Sequence, residues 1–274
     1  MVWKFIFLSF FPVMANAQEL FSFTEPASNM PAKSIGIRMN NLVLKEYDGT
    51  NTYNLNPEVM WGASKNIMIH ADIFMSNRVR NLTSANRSFG YDGAGIYFKY
   101  RFYSKDDVHN HFRLAAYSKL SFSNAHIHQP AIDLNGDNTG SESGIIATKL
   151  INKIAVSASS SFIYAMDNGS KKFNYGNRSR SAIGYTLSVG KLMLPKEYTD
   201  YKQINLNLML EFLGQYNTGM RTGYLDVATS IQFIFLSKMR LDIGYSFPVS
   251  NKLFRTAQKG ALVRLEYNLF NVYN

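Results

Sequence analysis

The stretch I-N-L-N-L-M-L-E-F at residues 204–212 decides the fold. Ile204, Leu206, Leu208, Leu210 and Phe212 alternate with Asn205, Asn207, Met209 and Glu211. Successive side chains of an extended chain point to opposite faces, so the pattern makes a strand with one oily face and one polar face. A helix would scatter the same residues around a cylinder. Further along, Leu225, Val227, Thr229, Ile231, Phe233 and Phe235 oppose Asp226, Ala228, Ser230 and Gln232. Near the end, Ala261, Val263, Leu265, Tyr267 and Leu269 oppose Leu262, Arg264, Glu266 and Asn268.

Working outward, about twelve such segments are expected, near 34–43, 52–62, 66–76, 91–103, 111–123, 143–151, 153–165, 180–193, 203–214, 223–236, 238–248 and 259–273. Short connections (63–65, 104–110, 152–153, 195–202, 237–238) alternate with longer polar ones (77–90, 124–142, 167–178, 215–222, 250–258). An even strand number with turns on one side and loops on the other predicts an all-β fold, a transmembrane antiparallel up-and-down β-barrel. A soluble β-sandwich also alternates. Its strands usually run about 5–6 residues, however, whereas segments of about ten or more suit a tilted crossing of the hydrocarbon layer. The polar face here also carries charge in nearly every strand. Aromatics near the predicted strand ends (Tyr53, Trp61, Phe102, Tyr103, Phe122, Tyr164, Tyr198, Tyr201, Phe212, Tyr224, Phe247, Tyr273) are expected to form interfacial girdles.

Composition agrees. The 274 residues include 20 Phe and 17 Tyr, carry a formal net charge of +10 and contain no cysteine. Disulfides, thiolate catalysis and Cys-ligated metal centres are thereby excluded. Lys4, the apolar run 5–14 and Ala15-Asn16-Ala17 have the order of a secretory signal, which predicts cleavage before Gln18. The expected organisation is a signal peptide at 1–17, an extended periplasmic lead-in at 18–33 and a barrel at 34–274 in the outer membrane of a diderm bacterium.

Several stretches carry a resemblance: N-P-E-V-M-W-G-A-S-K-N (56–66), Y-F-K-Y-R-F-Y-S-K-D-D-V-H (97–109), G-K-L-M-L-P-K-E-Y (190–198) and R-L-E-Y-N-L-F (264–270). With the signal, this succession resembles a family of uncharacterised outer-membrane barrels of Bacteroidota. In layout they are similar to the transporters grouped under the MetA-pathway-of-phenol-degradation name. The resemblance implies a barrel and a porin-like transport role, and brings no binding residue with it.

If the greasy positions face lipid, the lumen receives Arg38, Glu58, His70, Asp72, Lys99, Arg101, Arg113, Lys119, Glu211, Asp226, Arg240, Asp242, Arg264 and Glu266. A charge at mid-depth on the lipid face would cost about 2–4 kcal/mol, which enforces this parity. These charges suit a narrow channel selecting a small anionic or amphipathic solute. Equally, they suit cross-strand ion pairs that fill a small lumen, giving a non-conducting scaffold or an accessory subunit of an envelope complex.

Metal handling is a weaker alternative. His109 and His111, and His126 and His128, are i, i+2 pairs able to share an ion; a tight site needs a third or fourth ligand, which Asp106, Asp107 or Asp133 could supply, but two ligands alone are a weak motif. Asp133-Leu-Asn-Gly-Asp-Asn has the oxygen donors of a calcium loop without its terminal bidentate glutamate. No His-x-Ser pair and no other catalytic signature occurs, so neither an enzyme nor a cofactor is expected. Basic residues in the predicted loops (Arg78, Arg80, Arg87, Lys171, Lys172, Arg178, Arg180) point to anionic lipopolysaccharide in the outer-membrane lipid layer as a partner, and not to nucleic acid.

Overall fold

The computed structural model describes residues 21–78, 87–107, 110–197, 200 and 202–273. The signal segment 1–17, Arg80, His109, Tyr198 and Tyr201 lie outside the described residues, as does the Arg178 side chain.

Among the described residues, twelve antiparallel strands follow one another. They are β1 (Ser34–Glu46), β2 (Asn51–Gly62), β3 (Ile67–Ser76), β4 (Gly90–Asp107), β5 (Asn110–Ser123), β6 (Gly140–Ile151), β7 (Ile154–Ala165), β8 (Ser181–Leu194), β9 (Asn205–Asn217), β10 (Thr222–Phe235), β11 (Met239–Asn251) and β12 (Ala257–Leu269). Each pairs with its sequence neighbours, and β1 pairs with β12 to close the barrel. Closure leaves no strand edge and satisfies the backbone polar groups within the sheet. β4 runs to 18 residues, beyond the expected 91–103, and β12 stops at Leu269 instead of continuing to 273. The helical content described is one short 3₁₀ turn, Asn177–Arg180.

The parity of the pleat is inside-out relative to a water-soluble domain. Leu208 and Leu210 are 41% and 40% exposed, while the alternating Met209 and Glu211 are buried. Every strand repeats this, with Ile37, Val59, Ile73, Phe98, Phe122, Ile145, Phe162, Leu187, Leu208, Ile231, Ile243 and Val263 all exposed on the outer wall. Water-soluble monomers rarely show an apolar patch above about 300–600 Å². A wall of large apolar side chains on all twelve strands belongs against acyl chains. Tyr53, Trp61, Phe102, Tyr103, Phe122, Tyr164, Phe247 and Tyr273 are exposed near the strand ends. Two of the expected residues differ: Phe212 is half-buried in the middle of β9, and Tyr224 shares the Asp226 side of its strand and turns into the barrel, where the Arg255 guanidinium covers its ring at 3.7 Å.

Residues 21–33, within the segment read as an extended periplasmic lead-in, run across the barrel interior near the short-turn end. Phe21, Ser22, Ala27, Ser28 and Met30 are all buried there. The lumen has room for them because β8 and β11 carry inward glycines. A Cβ on Gly244 would lie 2.7 Å from Phe23 Cε2, and one on Gly190 would lie 3.3 Å from Phe21 Cε1.

Candidate functional site

Strand register sets the charges of the lower lumen. Arg38 on β1 sits directly opposite Glu58 on β2 and Glu266 on β12, and Glu266 sits opposite Arg240 on β11. The four make a continuous row, with Arg38 to Glu266 at 2.9 Å, Arg38 to Glu58 at 3.3 Å and Arg240 to Glu266 at 3.4 Å. His70 Nδ1 closes on Glu58 at 2.5 Å, and Arg240 on Asp242 at 2.6 Å. Buried charges persist where each finds a partner of opposite sign, and here each does.

The crossing segment is bound into this row. Glu25 reaches Arg38 at 2.8 Å and Lys99 at 3.6 Å. Lys99, fully buried, also donates to the Pro26 and Ser28 carbonyl oxygens, both at 2.8 Å. On the far wall Glu211 accepts the backbone N–H groups of Ser22, Phe23 and Thr24 at 2.9–3.0 Å, and the Thr24 hydroxyl at 2.8 Å. The Ala27 N–H donates to Thr148, and Arg113 donates to the Ser28 hydroxyl. Met30 packs on Met60 and Met68 beside β2 and β3.

Above this floor, toward the long loops, lies a cavity of about 720 Å³. Small-molecule sites commonly occupy roughly 300–1,000 Å³. The β5–β6 connection folds down into its mouth. Gln215 accepts the Ile132 N–H at 2.9 Å and donates to the Ile132 carbonyl at 2.8 Å, and Gln129 accepts the Thr256 N–H. Ile132 and Leu134 pack with Ile163, Ala165, Phe173 and Ala182. The Asp133 carboxylate accepts both the N–H and the side-chain amide of Asn135, so this loop is held by its own turn chemistry.

The cavity lining contains six basic and six acidic side chains. Arg255 grips Asp226 through two bonds of 2.5 and 2.7 Å, and Arg87 holds Glu46 at 3.0 Å. Arg78 meets Asp137, Lys119 meets the Asn135 side chain, and Tyr117 donates to Glu142 at 2.6 Å. Arg264 donates to the Asn40 side-chain oxygen at 2.5 Å, and Lys259 is exposed. Sign balance and pairing leave little field for selecting an anion.

Among the side chains expected in the lumen, Arg38, Glu58, His70, Lys99, Glu211, Asp226, Arg240, Asp242 and Glu266 are buried, and Asp72, Arg101, Arg113, Lys119 and Arg264 are half-buried. Arg101 lies toward the turn end and donates to the Lys65 carbonyl. The histidines separate: His111 contacts Asp106 at 2.9 Å, whereas the His126 and His128 rings lie 5.9 Å apart at the cavity. Among the described residues no group of three His, Asp or Glu side chains stands close enough to hold a metal ion. Burial, with His126 and Arg78 nearby, pushes the His128 imidazole below its ordinary value. In the loops, Arg78 and Arg87 turn into the cavity instead of outward, and Arg180 and Lys172 both contact Asp167. The Phe173 N–H, with Arg180 and Lys172, holds the Asp167 carboxyl well below the usual carboxylate range. Glu25, Arg255 and Gln129, all central here, carried no sequence signal. They sit in irregular segments where no periodicity assigns a face.

A closed twelve-stranded antiparallel barrel with an apolar outer wall and a charged, partly filled lumen has the architecture of an outer-membrane β-barrel. The chain shares its fold with an outer membrane channel from Pseudomonas putida F1, at a TM-score of 0.57 and 11% identity over 90% of this chain and 100% of that one. It is similar also to the NanC porin, at a TM-score of 0.51 and 10% identity over 86% of this chain and 100% of that one. No protein-family model and no curated protein matches the sequence.

Proposed function

We propose that the chain is an outer-membrane β-barrel that takes small solutes into its loop-end cavity and passes them through a constriction made by residues 21–33. The observation that carries this reading is the 720 Å³ cavity standing directly above a crossing segment that is bonded to the wall by side chains. The outer-membrane channels with the same fold support it. The alternating loops and the signal-like amino terminus support export to the outer membrane, with the long loops outward. Membership of the Bacteroidota barrels related to the MetA-pathway-of-phenol-degradation transporters is part of this proposal. It rests on the strand and turn motifs quoted above.

Segment 21–33 also favours a second reading, a non-conducting barrel serving as scaffold, because it fills the lumen at the turn end. Planar-bilayer recording and liposome swelling with the purified mature chain separate the two. The channel reading expects small, discrete conductance and slow swelling in solutes of monosaccharide size. A silent bilayer with no swelling, from protein whose folding is verified by heat-modifiable mobility, supports the scaffold instead.

A further inference from the structure

The loop-end cavity has a chemistry of its own. Asn54 and Asn56 on β2 are more than nine-tenths buried and line the cavity, and the side-chain oxygen of each has no hydrogen-bond partner. A buried amide oxygen without a partner carries the full cost of its lost hydration, so such a group marks a place where a donor is meant to arrive. β7 and β8 stand half-way round the barrel from β2. They present hydroxyls to the same cavity: Ser159 and Thr186, joined at 2.6 Å, and Ser161. One wall therefore offers amides and the facing wall offers hydroxyls.

Charged solutes fit this lining poorly. The cavity cations are mostly engaged by carboxylates or amides, as the Arg255–Asp226 and Arg87–Glu46 pairs show. An anion would have to displace a carboxylate, and a cation would have to displace a guanidinium; either exchange leaves a desolvated charge unpaired. A hydroxyl group avoids both costs. It donates to an amide oxygen and accepts from an amide nitrogen or a second hydroxyl, whichever way each amide is turned.

We propose that this cavity binds an uncharged, hydroxyl-rich small solute of the saccharide or polyol class, through Asn54 and Asn56 on one wall and Ser159, Ser161 and Thr186 on the other. The inference deepens the reading of the barrel as a solute channel, and rests on it for the cavity being the entry side.

Binding to the full mature chain in detergent would be followed by saturation-transfer NMR and calorimetry. The probes are glucose, sorbitol and sucrose, against gluconate, glucosamine and 1,6-hexanediol. The neutral polyhydroxylated probes are expected to bind, with gluconate and glucosamine about tenfold weaker and the diol undetected. Asn54→Ala with Asn56→Ala is expected to weaken glucose binding about tenfold, the loss of roughly one buried hydrogen bond. If that variant does not fold, Ser159→Ala with Thr186→Val removes the partner wall as a matched pair and is expected to weaken binding similarly. Silence of all three neutral probes, tighter gluconate or glucosamine, or unchanged affinity in a folded variant overturns the proposal. Liposome swelling keeps the two readings apart. Binding without passage retains this inference and removes the channel, whereas passage at equal rates for all solutes of one size retains the channel and removes this inference.

Discussion

Glu211 and Ser22, 189 positions apart in the chain, are joined by a 3.0 Å bond from the Ser22 backbone N–H to Glu211 Oε1. Two further N–H groups and the Thr24 hydroxyl share the same carboxylate. One strand side chain thus organises three consecutive residues of a segment with no regular structure, and holds them over the turn end of the lumen. Hydrogen bonds to a charged acceptor contribute about 1.5–3 kcal/mol each. Glu211→Ala is therefore expected to release residues 22–24, giving faster proteolysis within 21–33 and a larger bilayer conductance. Glu211→Gln keeps one acceptor oxygen and is expected to fall between. The barrel should keep its heat-modifiable mobility in both. Unchanged cleavage and conductance in Glu211→Ala would show that the segment is held from elsewhere.

The barrel was legible because a strand crossing lipid has to show its period at every step. Leu208, Leu210 and their counterparts on eleven other strands repeat one two-residue rule. The same rule places Arg38, Glu58 and Glu266 inside, although their direct cross-strand opposition follows from register, which no single strand reveals. The crossing segment was not legible. Phe21–Lys33 has no periodicity, and its partners (Glu211, Lys99, Thr148) lie more than seventy positions away in contacts that only closure creates. The inward turn of Tyr224 was available from its parity with Asp226. Its position near a strand end drew it into the girdle instead.

The lipid-facing assignment has a depth-dependent test. Leu210 is exposed near the middle of β9 and Tyr216 is exposed near its loop end. Leu210→Arg is expected to cost about 2–4 kcal/mol and Tyr216→Arg about 0–1 kcal/mol, measured by urea unfolding in lipid vesicles. Equal, small effects at both positions would mean that this wall faces water.

His128 gives the loop end a pH dependence. Burial, His126, Arg78 and Lys171 disfavour the imidazolium and outweigh the opposing Glu46, so the folded value lies below the ordinary 6.5. The unfolded chain then takes up its proton first as pH falls. Stability from this group is complete above about pH 6.5 and is lost as pH drops through the lowered folded value. Relative to the intrinsic chemical rate, protection from hydrogen exchange in the 124–139 connection is expected to fall as pH drops below about 6.5, and His128→Gln should flatten that response. A connection whose exchange follows only the intrinsic chemical rate would remove the coupling.

Lys99 provides the second anchor of the crossing segment, and its effect should not simply add to that of Glu211. The ammonium is fully buried and saturated by the Pro26 and Ser28 carbonyls, with Glu25 at 3.6 Å. Lys99→Met keeps the length of the side chain but removes the donor of two carbonyls and one of the two cations paired with Glu25 among the described residues. With one anchor gone, the segment is still pinned at the other and continues to obstruct the lumen. With both gone, residues 21–28 retain the Arg38–Glu25, Thr148–Ala27, Arg113–Ser28 and Arg240–Phe21 contacts but are held far more weakly. Conductance is therefore expected to rise modestly in Lys99→Met and in Glu211→Ala, and by more than the product of the two ratios in the double variant. This is a positive coupling of the kind a double-mutant cycle isolates. Because the contacts are buried, the coupling should persist at high salt, unlike that of an exposed pair. Strict multiplicativity would mean that the two anchors open independent paths, and that the crossing segment does not act as a single closure.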